Sequence, residues 1–133
     1  MKKYKHTFTI YRSLWLRGEK DSALLRSTDN KQCCLGFYLE SCGSPKEALL
    51  DKLSPHNLAD TQLGEHNCTS VPKWLIKSIR SEKNIEGAVM FSPSKDAEQL
   101  MLTNDSCYRH EEAREIEIKD IFARQGIEVI FKD

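Results

Sequence analysis

A chain of 133 residues suffices for one domain that buries roughly two-thirds of its unfolded surface. Its 20 basic and 20 acidic side chains cancel, which excludes the global positive field of a non-specific nucleic-acid binder. No run reaches the roughly 18 apolar residues of a membrane span. "MKKYKHTFTI" breaks up its apolar residues and does not read as a secretory signal, so five cysteines, an odd number, read as reduced thiols of a cytosolic protein.

In chain order, "FTIYRSLWLR" (8–17) sets Phe8, Tyr11, Leu14 and Trp15 at helical spacing with Gly18 as a stop, and predicts an amphipathic first helix. The β-branched Thr7, Thr9 and Ile10 offer a competing prediction, a strand entering a shorter helix. "ALLR" (23–26) is a short apolar run before the polar turn "STDNK". It is expected to form a small hairpin or a strand leading into a helix.

"CCLGFYLESC" (33–42) aligns Cys34, Leu35, Tyr38, Leu39 and Cys42 on one side of a helix that Gly43 ends. "SPKE" begins another, with Ser44 as cap and Pro45 in the first turn, and Leu49, Leu50 and Leu53 supply its apolar side. Residues 54–70 mix breakers and polar groups and read as a long loop.

Pro72 opens a predicted helix with Val71, Leu75 and Ile79 on one face and Trp74 at its edge. A strand is expected at "AVMF" (88–91), then a helix from Ser94 to Leu102. The last helix, Glu111 to Gln125, should bury Ala113, Ile116, Phe122 and one or both of Ile118 and Ile121. Gly126 ends it, and "IEVIF" closes the chain as a strand. These elements predict a single α+β domain over residues 1–133, several short helices packed on a small sheet.

With the elements in place, Gly18, Leu25, Arg26, Cys33, Cys34, Leu35 and Gly36 form a pattern, joined later by Pro72, Trp74, Leu102, Asn104 and Asp105. This pattern resembles a widespread set of small phage and prophage proteins. They share Leu-Arg, a polar turn, Cys-Cys-Leu-Gly and a helix, then a Pro-initiated helix and a Leu-Asn-Asp-like step. Thr103 interrupts that last step here, and the "HNCTSV" loop and terminal "IEVIF" depart from the pattern. The resemblance implies a phage origin and an α+β fold, and transfers no catalytic residue.

Three chemistries compete with plain packing. Cys33 or Cys34 at a helix start would feel the positive end of the dipole, and with His66 or His110 as base would make a cysteine-dependent hydrolase or transferase. Free cysteine is also among the most buried residue types, and core packing is the expected role of both. His66, Cys68, Cys107 and His110 offer metal ligands, but not the two short-spaced pairs of a structural zinc site, so no metal or other cofactor is expected. Arg26, Asn104, Asp105 and Arg109 form a candidate nucleotide site, against helix capping and ion pairing as the ordinary roles.

Charge is uneven, with residues 1–20 basic and 94–120 acidic. Tyr11 and Trp15 among arginines are candidate anchors for a protein partner, and "EEAREIEIKD" (111–120) is either an acidic partner surface or a solvated helix face. The resemblance, together with the absence of a catalytic constellation, implies a non-enzymatic phage accessory protein in the bacterial host cytoplasm that neutralises a host defence protein or a small nucleotide signal. The cysteine-dependent enzyme is the alternative, and oligomeric state is left open.

Overall fold

Strand β1 (His6–Tyr11) pairs in parallel with the last strand, β4 (Ile127–Lys132), so the two ends of the chain share one ribbon with His6 opposite Ile127 and Tyr11 opposite Lys132. The computed structural model describes residues 4–19, 22–56, 71–79, 90–107 and 109–133. Between the two strands come α1 (Cys34–Ser41), α2 (Lys46–Leu49), an antiparallel pair β2 (Ile76–Ile79) and β3 (Met90–Pro93), α3 (Lys95–Asp105) and α4 (Glu111–Arg124). The class is α+β, with two separate two-stranded sheets among the described residues in place of one small sheet.

The first helix is not formed. Phe8 and Ile10 are buried while Thr7 and Tyr11 are exposed, the period-2 alternation of a strand, and only Arg12–Leu14 coils into one 3₁₀ turn. The competing prediction, a strand entering a shorter helix, describes the segment. Trp15, which the helical spacing grouped with Phe8, Tyr11 and Leu14, follows that turn in extended backbone and is 2% exposed, a core residue.

The Pro72 helix is also overturned. Lys73–Leu75 makes a single 3₁₀ turn, after which Ile76–Ile79 joins β3, because ladder pairing supplies the hydrogen bonds a longer helix would have made. In α4, Ala113 and Ile116 are exposed and Ile118, Ile121 and Phe122 are buried. The face is rotated because Arg114 occupies the inward position instead.

Helix α1 is the centre of the molecule, buried from Cys34 to Leu39. The backbone of Leu24 crosses it so closely that a Cβ at Gly36 would lie 1.8 Å from the Leu24 carbonyl oxygen. Glycine is therefore required there by contact. The helix ends at Gly43 (φ +106°), across which the Ser44 amide donates back to the Leu39 carbonyl at 3.1 Å. Around α1 sit Phe8 of β1, Leu100 of α3 and Phe122 of α4, and Phe8, Tyr38, Trp74 and Phe122 stack with ring centroids 5.0–5.6 Å apart.

The polar turn after "ALLR" closes between Arg26 and Lys31, with Asn30 at φ +58°. Leu25 makes an isolated bridge to Leu50 rather than a hairpin. Most of the predicted 54–70 loop, and with it His66 and Cys68, lies outside the described residues.

Candidate functional site

The predicted residues fall at two places, a buried polar node at the end of α3 and a surface groove along β1. Asn104 is the centre of the node and is 1% exposed. Its Oδ1 accepts from Trp15 Nε1 at 2.8 Å and from the Cys34 amide at 3.1 Å, and its Nδ2 donates to the Leu16 carbonyl and to Asp105 Oδ1, each at 2.9 Å. Two donors and two acceptor positions are all a carboxamide has, so none is left for a ligand. Since a first-turn amide has no partner inside its own helix, Asn104 caps α1 from another element.

Cys33 precedes α1 and Cys34 begins it, both buried. The dipole alone would lower their pKa; burial instead pushes the Cys33 thiol up to about 12 and holds Cys34 well above the ordinary thiol range, because a thiolate there would lose its hydration. His110 stands exposed before α4. The two cysteines and this histidine thus present no surface dyad.

The cationic residues of the nucleotide reading are bound to carboxylates. Arg26 contacts Glu19 and, at 2.6 Å, Asp29, whose pKa its guanidinium holds at about 2, and Arg109 pairs with Glu117. Asp105 bonds Asn104, and burial raises its pKa. Among the described residues no group of three or more His, Cys, Asp or Glu is arranged to hold a metal ion.

The groove, of about 490 Å³, is walled by β1 and α1. Phe8 lies on the core face of β1 and Thr7, Thr9 and Tyr11 on the other, yet all four line it. The groove therefore runs along the strand's edge, the edge away from β4, its partner in the sheet. Leu14, Phe37, Glu40, Ser41 and Lys46 contribute the rest of the wall, with Tyr11 46% and Leu14 45% exposed.

Gln32 also lines the groove and is fixed by its own backbone: its amide donates to the Leu14 carbonyl at 2.9 Å and its carbonyl accepts from Leu16 at 2.7 Å. Gln32 is 5% exposed, and its Nε2 is buried without an acceptor among the described residues. An unsatisfied buried donor costs about 1–3 kcal/mol. Tyr11 thus stands at the groove, whereas Trp15, the other predicted anchor, is spent on Asn104 and on Phe131, 5.0 Å between ring centroids.

Sequence reasoning missed two residues. Gln32 sits in a polar turn with nothing to single it out. Arg114, 2% exposed, donates from Nη1 to the carbonyls of Thr103 (3.2 Å) and Asn104 (2.7 Å) and from Nη2 to that of Arg109 (3.1 Å), closing the carbonyl end of α3. Its Nε lies 3.6 Å from Glu111, an ion pair too long for a hydrogen bond. The only signal was a charged residue at an inward spacing of the last helix. No protein-family model matches the chain, and no curated protein or solved structure matches it significantly.

Proposed function

We propose that this chain is a phage-borne accessory protein that acts without catalysis, binding a host defence protein in the cytoplasm and blocking it. The observation that carries the binding part is the groove along β1, where Tyr11 and Leu14 are exposed beside a buried donor that has no acceptor among the described residues. Tyrosine is among the side chains enriched as anchors of protein recognition. The resemblance carried by Cys33, Cys34, Leu35 and Gly36 supports the phage part. No helix among the described residues is long and apolar enough to cross a membrane.

A protein target is favoured over a nucleotide signal because an anion at Arg26 or Arg109 would have to displace Asp29, Glu19 or Glu117, and the Asn104 carboxamide has no free position. The test is efficiency of plating of a defence-sensitive phage on bacteria that carry a panel of defence systems, with and without this protein. Relief of at least one system is expected, lost in a Tyr11→Ala, Leu14→Ser variant that melts like the parent. Equal relief by that variant, or relief of none, overturns the proposal.

A further inference from the structure

We propose that the groove receives an extended peptide segment of the target, which adds as a strand to the edge of β1 away from β4 and gives a main-chain carbonyl to Gln32 Nε2. This rests on the binding function above and names its ligand chemistry. Three observations converge on it. The β1 edge that lines the groove is the one away from β4, it pairs with no strand among the described residues, and such an edge offers main-chain donors and acceptors at strand spacing. Parallel pairing already exists beyond the 3₁₀ turn that follows β1, where Gln32 bridges Trp15 through Leu14 and Leu16.

The second observation is Gln32 itself. Gln32 lines the groove, its Nε2 is buried with no acceptor among the described residues, and the acceptor that a peptide supplies at every residue is a carbonyl oxygen. The third is charge. Lys46, the one cationic side chain among the described residues that line the groove, lies 3.7 Å from Glu40. The wall thus has no uncompensated positive charge for a phosphate, whereas Tyr11, Leu14 and Phe37 offer apolar surface for alternate side chains of a strand.

The experiment selects randomised peptides of about twelve residues on the full-length protein. The most enriched peptide is synthesised with each backbone nitrogen methylated in turn, and binding is read by fluorescence anisotropy and by amide hydrogen exchange. Expected are an enriched peptide, loss of about tenfold or more in affinity on N-methylation at alternate positions, and slowed exchange of β1 amides on binding. Gln32→Met, which keeps the side chain's length, should bind about tenfold more weakly while melting no lower than the parent. The inference is overturned by failure to enrich any peptide, by tolerance of every N-methyl group, or by protection that misses β1. It is also overturned if the peptide-free protein is a dimer with β1 amides already protected, since a second copy is then the occupant. If the Tyr11→Ala, Leu14→Ser variant loses defence relief while no peptide is enriched, the strand-addition inference falls and the binding function stands. If a peptide pairs with β1 but the protein relieves no defence system, strand addition stands and the defence-blocking function falls.

Discussion

The indole nitrogen of Trp15 donates to the carboxamide oxygen of Asn104 at 2.8 Å and joins residues 89 positions apart. Through the same side chain the segment after β1, the first turn of α1 and the end of α3 are held together. Asn104→Ala should leave the Trp15 and Cys34 donors and the Leu16 acceptor unsatisfied and cost about 3 kcal/mol or more. Trp15→Phe removes one of those bonds and should cost about 1–2 kcal/mol before any loss of packing. Urea unfolding of both variants checks the order. Equal midpoints for Asn104→Ala and the parent would contradict the node.

Arg114 is another buried polar side chain, and its hydrogen-bond partners are all main-chain carbonyls. A lysine at 114 keeps the charge but has no planar fork to reach Thr103, Asn104 and Arg109 together. Arg114→Lys should therefore destabilise by about 2 kcal/mol, and Arg114→Met by more, because it also removes the cation from the carbonyl end of α3. Thermal unfolding that ranks parent above Lys above Met is the expected result.

What could be read in advance follows from how local each cause is. Helices α1, α3 and α4 and strand β4 were legible, since caps, glycine stops and apolar periodicity all lie within the element itself. Segment 6–17 was ambiguous because Phe8, Tyr11 and Trp15 lie at helical spacing while Phe8 and Ile10 alternate as in a strand, and the decision is made by β4 at the other end of the chain. Pro72 misled in the same way, its helix yielding to a pairing with β3 that only the tertiary structure provides. Of the candidate site, Tyr11 was identified and Gln32 was not. An unsatisfied donor is a property of three-dimensional surroundings, and no sequence pattern encodes it.

Two glycines near α1 should respond differently to the same change. Gly36→Ala drives a Cβ to 1.8 Å from the Leu24 carbonyl oxygen and 2.7 Å from its carbon, a backbone contact that only separation of α1 from the "ALLR" segment can relieve. The cost should exceed about 5 kcal/mol, the lower end of ordinary domain stability, and so sharply reduce or abolish folding. Gly43→Ala meets no atom within 4 Å and pays only for a left-handed backbone at φ +106°, about 1–2 kcal/mol. Soluble yield and circular dichroism of the two variants separate contact from conformation.

The cysteines give a prediction that also bears on the enzyme alternative. Cys107 is exposed and Cys33 and Cys34 are buried, so iodoacetamide should label Cys107 readily in the native protein and the adjacent pair only on global unfolding. Rapid native labelling of either would restore a reactive-thiol function. The pH dependence has a definite sign. Burial raises the Cys33 thiol from its ordinary 9.0 to about 12, so the unfolded chain releases this proton first as pH rises. The thiol's contribution is fully present below about pH 9 and is lost as pH rises towards about 12. Urea midpoints measured from about pH 8 to 11 should fall more steeply for the parent than for Cys33→Ala.

Gln32 allows stability and binding to be separated in one residue. In most buried positions the loss of a polar side chain weakens the fold, because a partner is left behind. Here Nε2 has no partner among the described residues to leave, and the backbone bonds from Gln32 to Leu14 and Leu16 are unaffected by the side chain. Gln32→Met replaces a desolvated donor with an apolar group of similar length and should raise stability by about 1 kcal/mol. A midpoint shift in that direction identifies the amide as a group held unsatisfied by the fold, as groups kept for recognition often are. A fall of similar size would mean that the carboxamide supports the fold after all, and the groove would then lose the feature that distinguishes it from an ordinary surface furrow.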